Sequence, residues 1–403
     1  MPPRRLALLG PLPPYRGGIA HFNVGVARGL GARGHRLRLV TFSRQYPRVL
    51  FPGATEFEPG PVAPDVAGER LLDSVGPRSW RRVARALAAD GTEAVLFPYW
   101  LSFFAPMWGA LARALRRQGV PAVGIVHNAR SHERRPGERL AARYALGRTR
   151  GLLVLSDQVR ADVEALRLGV PVRQAVHPTY NQFGAPVPRA EARAALGLPA
   201  HAPVLLFFGF VRRYKGLHVL LEALPRIRAA LPDVRLVVAG EFYADEQAIR
   251  AQVARLGLGD VVRFDAAYIP APRVATYFGA ADLVVQPYVA ATQSGVAHVA
   301  FHFARPVLTT DVGGLAEAVP DGEAGLVVPP EQPEALAEAA VRFFREGLAA
   351  RLEAGAARQR DAHGWAPLLD ALEALLEGAL VPAASGKAPH GGGLSGQGAP
   401  LSG

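Results

Sequence analysis

The sequence predicts an α/β protein in which two doubly wound, mainly parallel sheets follow one another along the chain. Its 403 residues exceed the usual size of one domain. Apolar runs of strand length alternate with helix-like runs over most of the sequence, as in right-handed βαβ units. The alternation stops in a Pro/Ala-rich stretch at 179–202 and then begins again. Two α/β domains joined by a linker are therefore expected.

The first half contains several strand candidates, each followed by a turn or a helical stretch. They are the apolar runs at 5–10, 35–42, 93–100, 121–128 and 151–157. Helix-like periodicity separates them, for example at 80–89 and 139–147. The run at 5–10 is too short for a signal peptide and leads into a glycine-containing turn, so a first strand is the better interpretation.

The second half restarts the alternation and ends in helices. Its strand candidates are 203–211, 234–242, 261–268, 282–288 and 305–313, and helices are expected at 333–346, 349–361 and 365–380. We place the domains at 1–185 and 186–364, a separate helix at 365–382 and a disordered, low-complexity tail at 383–403. Because doubly wound sheets bind ligands at the carboxyl ends of their strands, the site is expected in the cleft between the domains.

Composition and charge narrow the function classes. The chain has no cysteine, which excludes disulfides, thiolate metal sites and a cysteine nucleophile. The net charge of +12 suits phosphorylated ligands or anionic lipid, although a solvated basic surface is the favoured interpretation. The arginines are spread out and no nucleic-acid motif occurs, so no nucleic-acid partner is expected. No apolar run reaches the roughly 20 residues needed to span a bilayer. A cytoplasmic protein is expected.

The segment "GFVRRYKG" at 209–216 contains Lys215, one of only two lysines in a chain with 46 basic residues. Arg212 and Lys215 stand where an apolar strand gives way to a helix, and the free N–H groups of a helix N-terminus add to an anion site there. A phosphate or diphosphate is the expected ligand. Lysine supplies a compact, mobile charge that arginine does not. A solvated basic turn is the alternative.

Three further segments place small or polar residues at strand ends. Gly17 and Gly18 open a helix after the first strand and can bring backbone N–H groups close to an anion. His127 ends the strand at 121–128, although a lone histidine is more often a packed or surface residue. The third segment, 287–330, has small or polar residues opening a helix at 295–304 and Glu317 after the next strand; the openers are Thr292, Gln293, Ser294 and Gly295.

In this order, these segments resemble the GT-B glycosyltransferases of glycosyltransferase family 4. The early glycine pair, the histidine and the Arg-x-x-Lys-Gly element of the family match Gly17-Gly18, His127 and 212–216, and "DVGGLAEAVPDGEAGLVVPP" is similar to the family's later segment. The resemblance implies a GT-B fold of two Rossmann-like domains, with the helix from Trp365 crossing back to the first domain. It also implies transfer of a sugar from a nucleoside diphosphate sugar with retention.

The resemblance assigns roles to these residues. Arg212 and Lys215 would stabilise charge on the leaving diphosphate without a metal, and His127 would hydrogen-bond the donor sugar. The remaining donor-binding set is Gly17, Gly18, Gly209, Gln293, Ser294, Gly295 and Glu317. The donor would be a UDP- or GDP-sugar, and no separate cofactor is expected. Domain closure would exclude water, so that transfer outpaces hydrolysis.

The sequence departs from the family at its donor-binding helix. Two family glutamates, one for the donor sugar and one for the ribose, are replaced by Ala291 and Val299. Gln293 or Ser294 would take over the sugar contact. The departure keeps a non-catalytic nucleotide-sugar-binding protein open as an alternative. An epimerase of the same fold is a second alternative, with few candidate carboxylates: Glu133, Glu241, Asp311 and Glu317.

The acceptor is expected on the first domain. The segments 42–53 and 97–108 are rich in aromatic residues with arginines nearby. Exposed, they would suit a glycan or lipid-linked acceptor at the inner face of an anionic membrane, in polysaccharide or glycolipid synthesis. Buried, they would be strand and core, and this second interpretation is favoured.

Overall fold

The computed structural model describes residues 1–47, 55–129, 137–180, 182–291 and 294–381. A seven-stranded sheet occupies the first half, and every strand pair in it is parallel. Its strands are β1 (Arg5–Leu9), β2 (Arg36–Arg44), β3 (Glu69–Asp73), β4 (Ala94–Tyr99), β5 (Ala122–Val126), β6 (Gly151–Val154) and β7 (Val172–Gln174). The spatial order is β3-β2-β1-β4-β5-β6-β7, which reverses direction at β1. The tail predicted at 383–403 lies outside the described residues.

Helices cover both faces of this sheet, which explains why its central strands are apolar on both sides. All six residues of β4 and all five of β5 are buried. The helices are α1 (Gly18–Ala32), α2 (Pro77–Ala89), α3 (Ala105–Arg117), α4 (Glu138–Leu146) and α5 (Asp157–Glu164). The helices α2, α3 and α4 pack side by side.

The second half repeats the architecture with a six-stranded parallel sheet of order β10-β9-β8-β11-β12-β13. Its strands are β8 (Val204–Phe208), β9 (Arg235–Ala239), β10 (Val262–Asp265), β11 (Leu283–Gln286), β12 (Val307–Thr310) and β13 (Gly325–Val328). Its helices are α6 (Arg189–Ala195), α7 (Leu217–Ala230), α8 (Glu246–Arg255), α9 (Ala271–Ala280), α10 (Gly295–His302), α11 (Leu315–Ala318), α12 (Pro333–Arg345) and α13 (Ala349–Ala362). The predicted class, two Rossmann-like domains, is confirmed.

In the first sheet, two strands are not among the predicted ones because both lie at its edges. The strand β3 carries charged residues at both ends, and only Leu72 of its five residues is fully buried. The strand β7 has three residues and none is fully buried. A short, half-exposed edge strand lacks the continuous apolar run that marks the central strands.

The last helix, α14 (Trp365–Leu380), returns to the first domain as predicted. It packs on α1, where Gly25 and Gly29 leave room for Trp365 and Leu369. Arg33 adds a 2.6 Å salt bridge to Glu373. Within the described residues, no helix is long and apolar enough to cross a membrane.

Gly25→Ala is expected to lower the free energy of unfolding by about 1–3 kcal/mol, the usual range for overpacking. A Cβ at Gly25 would lie 2.0 Å from the Trp365 ring, and this rigid ring cannot move aside without disturbing the packing of α14 on α1. Gly31→Ala is the matched control on the same helix, since its Cβ would meet only Leu37 at 4.0 Å. Urea unfolding measures both, and equal stabilities would contradict this packing.

Candidate active site

A cavity of about 350 Å³ lies between the domains, where the carboxyl ends of both sets of strands face each other. Its volume is in the range of small-molecule sites. The first domain lines it from the loop after β1 and from the ends of β5 and β7, and the second from the loops after β8, β9 and β10 and the start of α10. It brings together most of the predicted site residues: Gly17, Gly18, His127, Gly209, Lys215, Ser294 and Gly295.

Lys215 is held in this cavity by the turn between β8 and α7. Residues 213–215 form one turn of 3-10 helix, and Gly216 follows with φ 70°. A Cβ at Gly216 would lie 1.8 Å from the carbonyl oxygen of Pro287, so only glycine fits at this position. The close approach fixes the turn against the end of β11 and directs Lys215 inward.

The Lys215 side chain is buried, with only 9% exposed. Its Nζ lies 5.6 Å from the centre of the Tyr288 ring. Burial lowers the pKa of Lys215; Tyr214 partly offsets this effect, and the charge of Arg212 adds to it. The Lys215 ammonium forms no salt bridge with a carboxylate of the described chain. A buried ammonium of this kind favours an anionic ligand, which would restore its charged form.

Arg212 takes a different position from Lys215. It is exposed, and its guanidinium lies 4.8 Å from the centre of the Tyr243 ring. The Arg212 side chain does not line the cavity as Lys215 does. Of the two predicted cations, Lys215 is therefore buried in the cavity wall and Arg212 is exposed beside it.

The N-terminus of α10 lines the same cavity. The Ser294 hydroxyl accepts the Val296 N–H at 3.3 Å and caps the helix. Below it, Gln286 donates a 2.6 Å hydrogen bond to the same hydroxyl, and the Tyr288 hydroxyl lies 3.3 Å away. Val299, at a position of a family glutamate, is buried and lines the cavity. Gln293, a predicted donor contact, lies outside the described residues.

His127 belongs to a buried histidine cluster around Phe22. Its ring lies 4.7 Å from Phe22, and the His177 ring lies 5.3 Å from the same phenylalanine. His177 stacks on His298 with centroids 4.4 Å apart. Burial lowers the pKa of His127 to about 3 and that of His177 to about 4. The Nε2 atom of His127 is buried and finds no partner in the described part of the chain, so it can hydrogen-bond a ligand.

Glu317 lies away from this cavity. Its carboxylate accepts the backbone N–H of Asp157 at 3.1 Å, at the start of α5 in the first domain. A carboxylate there interacts favourably with the helix dipole. The structure thus places Glu317 at a contact between the domains and not in the cavity wall.

Sequence reasoning missed a contact between Arg16 and Glu241. Arg16 precedes the glycine pair, and its guanidinium donates across the cleft to the Glu241 carboxylate. The same guanidinium lies 4.6 Å from the centre of the Tyr268 ring. The only sequence signal is the position of Arg16 beside Gly17.

The aromatic segments of the first domain are mostly core. The rings of Phe97, Tyr99, Phe104 and Trp108 are buried, which confirms the favoured interpretation for 97–108 in those positions. Trp100 and Phe103 are half-buried, and Tyr46 packs 5.8 Å from Phe103. Residues 48–53 of the other segment lie outside the described residues.

Two family descriptions match the chain. The "Glycosyl transferase 4-like domain" matches residues 17–180, and "Glycosyl transferases group 1" matches residues 202–346. D-inositol 3-phosphate glycosyltransferase 1 of Catenulispora acidiphila is 35% identical over 67% of this chain and 69% of its own length. The D-inositol 3-phosphate glycosyltransferase of Thermobispora bispora is 31% identical over 87% of each chain. Another such enzyme, of Streptomyces avermitilis, is matched over 61% of its length.

Solved structures show the same fold. Sucrose-phosphate synthase of Thermosynechococcus elongatus superposes with a TM-score of 0.73 at 22% identity, covering 93% of this chain and 98% of its own. HepE of Anabaena in complex with UDP and glucose gives a TM-score of 0.67 at 17% identity, covering 92% and 99%. The fold is therefore that of the GT-B glycosyltransferases. The chain belongs to glycosyltransferase family 4, and it is a glycosyltransferase.

Acid is expected to destabilise the protein through its neutral histidines. Below the ordinary value of 6.5, the unfolded chain takes up protons that folded His127 and His177, with pKa values of about 3 and 4, cannot. The free energy of unfolding should then fall by up to about 1.4 kcal/mol per pH unit for each histidine between pH 6 and pH 4.

His177→Phe tests this linkage, because it keeps an aromatic ring against His298 and removes one titrating group. Urea unfolding at several pH values should show a slope smaller by about one proton in the variant. An unchanged slope would show that His177 is not the group that titrates.

Proposed function

We propose that the protein transfers a sugar from a UDP- or GDP-sugar to a glycan or lipid-linked acceptor, with retention and without a metal ion. The observation that carries the proposal is the buried Lys215 ammonium, which lines the interdomain cavity together with the N-terminus of α10. Membership of the family supports retention. The protein would act in the cytoplasm, in the synthesis of a cell-surface polysaccharide or glycolipid.

The chemistry proposed for the cavity is stabilisation of charge on the departing diphosphate. Negative charge grows on the diphosphate as the bond to the anomeric carbon breaks. The Lys215 ammonium and the free N–H groups at the start of α10 would face that charge in a site shielded from water. Arg212, exposed on the same turn, would reach the diphosphate from the side of solvent.

The donor sugar would lie against the first domain. Neutral His127 would hydrogen-bond a sugar hydroxyl through its buried Nε2 atom. Gly17 and Gly18 line the same side and would present backbone N–H groups. The UDP complexes of HepE, a protein of the same fold, support a uridine donor among the candidates.

The relatives favour a second acceptor, a phosphorylated inositol. The relatives of Catenulispora acidiphila and Thermobispora bispora, each matched over more than two thirds of its length, carry that substrate in their names. A net charge of +12 suits an anionic acceptor. Comparing product formation with inositol 3-phosphate and with a lipid-linked sugar separates the two acceptors.

Peripheral membrane contact would involve the outer helices α2 and α3. Exposed arginines cover them, and neither helix contains an acidic residue; the arginines are Arg78, Arg81, Arg82, Arg85, Arg113, Arg116 and Arg117. Clustered arginines bind anionic lipid headgroups. Co-sedimentation with phosphatidylglycerol vesicles, but not with phosphatidylcholine vesicles, is the expected result, and equal sedimentation would contradict it.

Lys215→Ala is expected to lower kcat/KM for transfer by about 10²- to 10³-fold, the scale for losing one donor to a developing oxyanion. In a panel of UDP-, GDP- and ADP-sugars, the donor that raises the melting temperature of the wild type should fail to do so in this variant. Lys215→Arg should also lower kcat/KM, because there is little room around the end of the Lys215 side chain. Its Nζ lies so close to Gly209 that a Cβ added at Gly209 would be 3.2 Å from it.

Arg213→Ala is the matched control, since Arg213 is exposed on the same turn. It should retain both the donor-induced shift and the transfer rate. An equal donor-induced shift in Lys215→Ala and wild type would place the diphosphate elsewhere, and no shift with any donor would contradict the donor assignment.

A further inference from the structure

We propose that Arg16 is a positioning residue for sugar transfer, because it docks into the second domain and holds the Gly17–Gly18 loop over the donor site. The inference rests on the transfer reaction proposed above. It concerns a residue of the first domain whose side-chain contacts in the described part of the chain, with Glu241, Phe210 and Tyr268, lie on the second domain. Three observations carry it: an aromatic box, a shielded carboxylate and the backbone of the glycine loop.

The aromatic box consists of Phe210, Tyr243 and Tyr268, which follow β8, β9 and β10 respectively. The Phe210 ring lies 4.5 Å from Tyr243 and 6.1 Å from Tyr268. The guanidinium of Arg16 enters this box, 4.6 Å from the Tyr268 ring and 5.5 Å from the Phe210 ring. Arginine over aromatic faces is a favourable contact that strengthens when water is excluded.

A carboxylate completes the box. Arg16 donates to Glu241, and the two side chains are only 4% and 12% exposed. A buried ion pair depends on its geometry, because either charge left alone in a dry site is strongly unfavourable. Both charges would regain water if the domains separated. The ion pair therefore stabilises the arrangement of the two domains in which Arg16 and Glu241 meet, relative to arrangements in which they do not.

The box also fixes the backbone next to Arg16. Gly17 has φ 108° and is the N-cap residue before α1, so the chain turns sharply directly after the anchored side chain. Burial raises the pKa of Tyr268, and a backbone hydrogen bond from Gly17 acts in the opposite direction. Gly17 and Gly18 line the cavity together with Lys215. Anchoring Arg16 thus sets the distance from the glycine loop to the donor site.

In this arrangement, donor binding and sugar transfer depend on different residues. The buried cation and the α10 N-terminus both lie on the second domain, so the nucleoside diphosphate should bind without Arg16. The glycine loop completes the site only when it is docked. A misplacement of about 1 Å can lower a rate on the order of 100-fold, and an undocked loop admits water.

Arg16→Ala should therefore lower kcat for transfer on the order of 100-fold, with a donor Kd within about threefold of wild type. The fraction of donor lost to hydrolysis should rise. Arg16→Lys, which keeps the charge for Glu241, should recover part of kcat. Kinetics, calorimetry of UDP binding and the melting temperature measure these effects, and a mere loss of folding would lower the melting temperature without changing the hydrolysed fraction.

Arg28→Ala is the matched control. Arg28 forms a 2.7 Å salt bridge with Asp65 inside the first domain, and its side chain is 49% exposed. Such surface pairs contribute little, so kcat and the hydrolysed fraction should stay at wild-type values. A double variant, Arg16→Ala with Glu241→Ala, should lose less kcat than the product of the two single effects, because the removed groups act on each other.

Small-angle X-ray scattering separates this inference from the proposed function. The wild type should be more compact than Arg16→Ala whether or not a donor has been found. Equal scattering curves, an unchanged kcat in Arg16→Ala, or a loss of UDP affinity as large as the loss of kcat would each overturn the positioning role. Absence of transfer by the wild type with every donor would instead overturn the proposed function, while the scattering difference would remain.

Discussion

The structure of the cleft depends on the burial of one ammonium group, that of Lys215. Lys215 lies in the wall of a cleft, and burial disfavours its charged form. The turn that holds it exists only because Gly216 allows the backbone to touch Pro287. The capped N-terminus of α10, whose free N–H groups favour an anion, lines the same cleft. The diphosphate proposed to bind between these two groups would offset the desolvation of the cation.

The departure at the donor-binding helix is compatible with this arrangement. With Val299 in place of a carboxylate, the helix presents an apolar side to the cavity. Ser294 and its partners Gln286 and Tyr288 hold the start of the helix in position through hydrogen bonds. The carboxylate that does line the cavity, Glu241, comes from another loop and is engaged by Arg16. The carboxylate of this cavity thus stands at a position other than those that the family resemblance implies.

The sequence predicts those parts of the site that depend only on which residues follow each strand along the chain. Strand ends in a parallel sheet face one side, so Lys215, His127 and the glycine pair could be placed in one cleft before the structure was known. Pairing across the cleft could not be predicted in this way. Arg16 and Glu241 are 225 positions apart and meet only because the two domains close on each other. Glu317 could not be placed in this way either, because it lies in the short helix after β12 and accepts a backbone N–H at the start of α5 in the other domain instead of lining the cavity.

We expect the diphosphate of the donor to bind between Lys215 and the N-terminus of α10. A crystal structure of the protein with a bound nucleoside diphosphate tests this placement most directly. Phosphate oxygens should lie within hydrogen-bond distance of Lys215 Nζ and of the first N–H groups of α10, about 2.7–3.2 Å. A diphosphate bound elsewhere in the cleft, with Lys215 making no contact to it, would contradict the account.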